Sequence, residues 1–168
     1  NNYGGVWMTR EVFDFSVPRT EWWHILDVGV GNSVTELVAS DDGDYLWVGV
    51  STGQLIRIGN LNQARSRTTA DVDDNNPNRV TTIDVAGSWV GRRITGISID
   101  PNDNDRVLVT LGNYGNSQYV YMSNNATSAS PTFLAKQGDL PSFPVYDGIF
   151  NYFNGDEVVI GTEYGVFS

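Results

Sequence analysis

Three stretches of this 168-residue chain repeat one another, and the repetition limits the possible folds more than any other feature. VTELVASDDGDYLWVGVSTGQLIRI begins at Val34, ITGISIDPNDNDRVLVTLGNYGNSQYVYMS at Ile94 and VYDGIFNYFNGDEVVIGTEYGVFS at Val145. Each runs from an apolar strand through a tight turn to a second strand ending near glycine. A short Gly-bearing turn and a third strand follow, and a weaker fourth precedes the next unit. Supersecondary units that recur in this way bury their apolar faces against their neighbours.

Apolar runs of four to eight residues, rich in β-branched and aromatic side chains, alternate with clusters of Gly, Asn, Asp, Ser and Pro, and none sustains the i, i+3, i+4 pattern of an amphipathic helix. The pattern predicts almost no helix. It predicts strands at 5–10, 22–26, 34–40, 45–50, 54–58, 80–85, 94–100, 107–111, 118–123, 132–135, 145–153, 157–161 and 165–168. The dipeptides Asp42-Gly43 and Asn154-Gly155 are expected to turn hairpins at positive φ, and Asp100-Pro101-Asn102 to open a turn pre-set by proline. A repeat of about 50 to 60 residues suits four-stranded antiparallel blades of a β-propeller with loop insertions, and the missing helices exclude helical solenoids. The polar segment 60–79 reads as an exposed insertion.

The formal net charge is -10, with 20 acidic residues spread along the chain against 10 basic ones, which argues against nucleic acid or an anionic membrane as partner. No run approaches the roughly 18 apolar residues of a membrane span. With no cysteine there are no disulfides and no thiolate metal sites. The single histidine, His24, has no second imidazole to share a metal and is expected to be structural. No phosphate loop, nucleophile elbow or zinc motif is present.

The strings ITGISIDPNDNDRVLVTLGNYG and LPSFPVYDGIFNYFNGDEVVIGTEYGVFS resemble the repeats of Asp-box (BNR) propellers, the superfamily of sialidases, xyloglucanase-type glycosidases and sortilin-like receptors. In that family the third strand leads into Ser-x-Asp-x-Gly-x-Thr-Trp. Here Ser123-Asn124-Asn125-Ala126 followed by Thr132-Phe133 is similar to a degenerate box, with Asn125 in place of Asp and Phe133 in place of Trp. The resemblance implies a partial ring: residues 1–27 ending a preceding blade, 28–85 a blade with a 59–79 insertion, 86–136 a second blade, and 137–168 a third, truncated one. Three blades cannot close a ring without leaving apolar faces in water. The chain is therefore expected to be a segment of a longer polypeptide or to associate with other chains.

The family's ligands bind on the face carrying the second-to-third-strand turns and the blade connections. That mapping gathers Trp89, Arg92, Arg93, Tyr114, Asp139, Phe143, Glu163 and Tyr164. Glycoside hydrolysis needs two carboxyl groups about 5 to 10 Å apart; Asp139 and Glu163 are the candidate catalytic pair. Trp89, Arg92, Tyr114, Phe143 and Tyr164 are the candidate ligand-binding residues, as stacking surfaces or, for the arginine, a carboxylate clamp. Calcium is the one cofactor the acidic clusters Asp41–Asp44, Asp71–Asp74 and Asp100–Asp105 suggest, but none has the ligand spacing of a calcium loop. They are expected to be turn residues bonding their own backbone.

The leading expectation is a non-catalytic, extracellular or cell-surface propeller segment, secreted by a bacterium. It would act as an interaction or architectural module whose partners are the rest of its polypeptide, other proteins or carbohydrate. The rival is part of a glycoside hydrolase of sialidase or xyloglucanase type.

Overall fold

The structure is a computed structural model, and residues 4–72 and 78–168 are described. They form thirteen strands in four antiparallel sheets, with helix confined to a 3-10 turn at Leu61–Gln63 and one α turn, α1 (Arg67–Ala70). β1 (Gly5–Met8) and β2 (Trp23–Asp27) make a two-stranded first sheet. β3 (Val34–Ala39), β4 (Leu46–Val50), β5 (Gln54–Gly59) and β6 (Thr82–Ser88) make the second. β7 (Ile94–Asp100), β8 (Asp103–Leu111), β9 (Val120–Ser123) and β10 (Leu134–Ala135) make the third, and β11 (Val145–Asn151), β12 (Asn154–Thr162) and β13 (Gly165–Phe167) the fourth. Each sheet is a meander of sequential neighbours. The first strands β3, β7 and β11 contact one another across sheet boundaries, so the sheets fan out from their first strands as propeller blades do, without closing a ring.

The repeat is reproduced in register. In all three longer sheets the first strand bulges at its second residue, between Val34 and Glu36, Ile94 and Gly96, and Val145 and Asp147. The extra residue bends the strand and re-aims the side chains that follow it. Glycine stands at the second of these bulges because the sheets approach closely there. A methyl group at Gly96 would meet Asp147 of β11, 2.7 Å from its carboxylate oxygen and 3.1 Å from its Cα.

Three apolar cores lie between successive sheets. Val6, Trp23 and Ile25 meet Val48, Val50, Ile56 and Ile58 in the first core. Trp47 and Leu55 meet Ile94, Val107, Val109 and Leu111 in the second. Leu108, Tyr119 and Val120 meet Val145, Phe150 and Ile160 in the third. Strand alternation sends Trp47 forward and Val48 backward, so a middle strand is buried on both faces and reads as an unbroken apolar run.

Two expectations are corrected. Asn154-Gly155 does not turn the last long hairpin: Tyr152-Phe153 does, with Asn151 facing Asn154 across the turn. Gly155 is needed instead for close approach, since a side chain there would collide with the Asp100 carboxylate. The segment after β5 is not a plain exposed loop either. Ala64, Ala70 and Asp71 are buried, Val72 N–H donates to His24 O at 2.7 Å, and Arg10 Nε donates to Ala64 O at 2.6 Å. Two small alanines carry too little hydrophobic pattern to betray this docking onto the first sheet. Asp73 and Asp74 of the second acidic cluster lie outside the described residues.

Candidate functional site

The turns and connections mapped to the candidate face lie at one end of the sheets, where backbone N–H groups tie each turn to the connection that enters or leaves its own sheet. Ser33 N–H donates to Ser51 Oγ at 3.1 Å, Trp89 N–H to Gly53 O at 2.7 Å, and Arg93 N–H to Asn113 Oδ1 at 2.8 Å. Gly53, at φ 89°, permits the second of these contacts, because any side chain there would overlap the Trp89 carbonyl. Tyr119 N–H donates to the buried Gln137 Oε1 at 2.8 Å. The Gln137 amide in turn donates to Leu140 O and Pro141 O, fixing the β10–β11 connection. Neither Gln137 nor Asn113 stands out in the sequence, where an amide in a polar loop carries no signal.

The candidate residues separate into two groups. Trp89 packs between Tyr121 and Phe133, at ring-centroid distances of 5.0 and 5.8 Å, and so belongs to the second inter-sheet core. Arg92 donates to Gln118 O at 2.6 Å and lies over the Tyr119 ring at 4.8 Å, inside the connection rather than above it. Arg93, next in the chain, is exposed.

Tyr114, Phe143, Glu163 and Tyr164 form the second group, at the surface. The Tyr114 hydroxyl, from the β8–β9 loop, donates to Glu163 Oε2 on the β12–β13 turn. Because the Glu163 carboxylate accepts that bond, and the hydroxyl of Tyr146 adds to it, the Tyr114 phenol is held well above its ordinary pKa. Tyr164 stacks obliquely on Phe143, ring centroids 5.3 Å apart. Tyr114 and Tyr164 are 66% and 74% exposed, which leaves two aromatic faces beside one carboxylate open to solvent.

The two candidate catalytic carboxylates stand in different surroundings. Glu163 faces Tyr114, whereas Asp139 lines a cavity of about 400 Å³ between the third and fourth sheets, with Lys136, Leu140, Pro141 and Phe167 among its neighbours. Glu163 does not line that cavity. A second pair of carboxylates, which the sequence did not single out, occupies equivalent bulge positions on first strands: Glu36 and Asp147, with Gly96 at the corresponding position between them. Partial burial, and secondarily the Asp147 charge, push the Glu36 carboxyl above its ordinary range.

The first and third acidic clusters, at the opposite end, behave as turn residues, whereas Asp71 of the second does not: it is buried, accepts from His24 N–H at 3.2 Å and pairs with Arg67 at 3.3 Å. Asp42 accepts from Asp44 N–H at 3.0 Å, Asp100 from Asn102 N–H at 2.9 Å, and Asp103 from Asp105 N–H at 3.0 Å. Among the described residues, no three His, Cys, Asp or Glu side chains gather as a metal site. His24 is fully buried and stacks on Trp7, ring centroids 4.6 Å apart.

No protein-family model matches the chain, and no curated protein matches it. Among solved structures, the crystal structure of the GH74 enzyme of Niastella koreensis aligns with a TM-score of 0.55 at 15% sequence identity, over 88% of this chain and 23% of that one. The likeness supports the propeller fold, and this chain spans only about a quarter of the enzyme's length.

Proposed function

We propose that this chain is a stretch of an extracellular propeller whose loop face binds carbohydrate, without itself supplying a complete catalytic pair. The observation that carries the reading is the Tyr114–Glu163 hydrogen bond, flanked by the exposed rings of Tyr164 and Tyr114. A sugar ring presents C–H groups to an aromatic face and hydroxyls to a carboxylate, and a phenol that stays protonated keeps the carboxylate oriented to accept them. The test is a glycan-array and calorimetric screen of the chain and of Tyr114→Ala and Tyr164→Ala. The expected result is binding to a subset of glycans that either substitution weakens about tenfold or more. Binding unaffected by both substitutions, or no glycan bound at all, would reject the reading. The extracellular placement is tested by following the native protein in culture medium and cell lysate; exclusive retention inside the cell would refute it.

A second reading, that the chain is part of a glycoside hydrolase, draws on its likeness to the GH74 enzyme. On this reading Glu163 acts as one of the two carboxyl groups and its counterpart lies elsewhere in the polypeptide. Glu163→Gln and Asp139→Asn in the full-length protein test it on a panel of polysaccharides. Unchanged turnover by both would remove these residues from the mechanism.

We also infer that the β9–β10 segment is an Asp-box turn. Asn125 Oδ1 accepts bonds from Ser123 Oγ at 3.1 Å, Thr132 N at 2.9 Å and Thr132 Oγ1 at 3.1 Å. Phe133 turns inward against Trp47 and Trp89. These contacts bring together the Ser, Asx, Thr and aromatic elements of such a box across a longer loop.

A further inference from the structure

Asn154-Gly155, which does not turn the last hairpin, is the only Asn-Gly pair in the sequence. Asn154 is exposed at the start of β12, just beyond the Tyr152-Phe153 tip. The register steps here: Asn151 faces Asn154 while Phe150 faces Val158, so Gly155 falls in the step, outside the paired positions. Asp156 N–H donates to Asn154 Oδ1 at 3.2 Å, which folds the side-chain amide over the Gly155 peptide unit. The bond draws electrons from Cγ, and glycine has no Cβ to crowd the nitrogen beside it. An electrophilic carbon and a main-chain nitrogen are thus held next to one another.

The same glycine carries the contact between the third and fourth sheets. Arg106 of β8 donates to Gly155 O, pairs with Asp156 at 3.1 Å and lies 3.2 Å from the Asp100 carboxylate. Asp100 is 2% exposed and packs so closely on Gly155 that a methyl group there would collide with it. One guanidinium therefore already serves two carboxylates, and the main chain beside it has no room to move.

We propose that Asn154-Gly155 is a self-modifying site, at which the side-chain amide is lost and the isoaspartate formed breaks the Arg106 tie between the third and fourth sheets. The Gly155 nitrogen attacks Asn154 Cγ and forms a C–N bond. The bond from Cγ to Nδ2 breaks, and ammonia leaves with the proton from the Gly155 nitrogen. Water then opens the cyclic imide at either carbonyl, giving aspartate or isoaspartate. Both products add a negative charge near Asp100 and Asp156, where one cation is shared. Isoaspartate also adds a methylene to the main chain, which displaces Gly155 from Asp100 and its carbonyl from Arg106. Asp42-Gly43 in the second sheet is an internal control. Asp44 N–H donates to Asp42 Oδ1 at 3.0 Å in the same arrangement, but an ionised carboxylate is a poor electrophile and has no ammonia to lose.

The test is to age the intact chain at mildly alkaline pH and physiological temperature and to follow every asparagine by peptide mass mapping. Electron-transfer fragmentation tells isoaspartate from aspartate. The expected result is ammonia loss at Asn154 well ahead of any other asparagine, and no slower in the native chain than in the same chain held in urea. The aged chain should unfold at a lower urea concentration. Asn154→Gln, whose longer side chain closes a larger ring far more slowly, should age without change. Freshly prepared Asn154→Asp supplies the charge alone and should be less destabilised than the isoaspartate form. The proposal is overturned by an Asn154 no more reactive than the other asparagines, or by faster reaction in urea than in the native chain. It is overturned too by an isoaspartate-rich chain that keeps the parent's unfolding midpoint, or by an Asn154→Asp variant destabilised as far as that chain.

Discussion

At the hairpin ends of the sheets, charged groups are tied to one another across sheet boundaries; at the loop ends, Tyr114, Glu163 and Tyr164 lie open. Asn104 of β8 donates to Asp42 at 2.8 Å, linking the third sheet to the second. Arg106 joins Asp100 at 3.2 Å and Asp156 at 3.1 Å, and donates to the Gly155 carbonyl, linking the third sheet to the fourth. The Asn104–Asp42 and Arg106–Asp156 contacts cross to a neighbouring blade, while Arg106–Asp100 braces the hairpin of the third sheet itself. At the loop ends the stitching is done mainly by backbone groups and by amides, and the aromatic rings and Glu163 remain available. The repeat thus divides part of its charge by position: Arg106 by a long hairpin reaches the next blade, whereas Glu163 and Arg93 on the opposite side are exposed.

Substitutions on the two ends should separate this division cleanly. The largest effect is expected from Arg106→Met, which leaves the Asp100 carboxylate, 2% exposed, without its cation. Loss of one partner of such a pair costs about 3 kcal/mol, to be read from urea unfolding; a loss as small as that of a surface substitution would erase the distinction. Asn125→Ala should come next, at about 1–2 kcal/mol, because three donors from Ser123 and Thr132 lose their acceptor. Thermal unfolding of Asn125→Ala and Asn125→Asp measures it, with the aspartate variant expected to stay near the parent.

The pH dependence of stability should have opposite signs at the two ends. Asp105, bonded by the hydroxyl and N–H of Thr127, has a lowered pKa. Its unfolded form binds protons first as pH falls, so its contribution is present above the ordinary Asp range and is lost on acidification. Glu36 has a raised pKa, so the folded state binds the extra proton and stability falls as pH rises through and above the ordinary Glu range. Glu36→Gln should therefore raise the melting temperature at neutral pH and have no effect well below that range. Asp105→Asn should instead flatten the acid limb of the stability curve. Equal pH profiles for the two variants would contradict the assignment. The smallest effect on stability is expected from Tyr114→Phe, below about 0.5 kcal/mol. That substitution removes the donor to Glu163 while keeping the ring, and comparing its glycan affinity with that of Tyr114→Ala separates stacking from carboxylate orientation.

Much of the fold was legible from the apolar runs. Thirteen predicted strands correspond to thirteen observed among the described residues, because β-branched and aromatic runs bounded by Gly, Asn and Asp have few other ways to satisfy their backbone and bury their side chains. Strand ends were less legible. β8 begins at Asp103 and β12 at Asn154, both upstream of the apolar residues, since hairpin pairing continues through polar side chains that face water. Of the candidate residues, the placement in loops and turns was readable but not which of them pack and which stay exposed. Trp89 and Tyr114 are both aromatic residues in predicted loops, yet one is held in a core by Phe133, 44 residues further along the chain, and the other is exposed.

By itself the sequence determined the local chemistry: which runs become strands, that Asp42-Gly43 and Pro101-Asn102 turn the chain back, and that three units share one pattern. Only the tertiary structure decided which aromatics pack and which face water, that Gly155 makes room for Asp100, and that Glu36 and Asp147 occupy matching bulges. The reason is physical. Periodicity and turn preference act between residues a few positions apart, whereas burial and charge pairing depend on which sheet the fan of blades brings alongside.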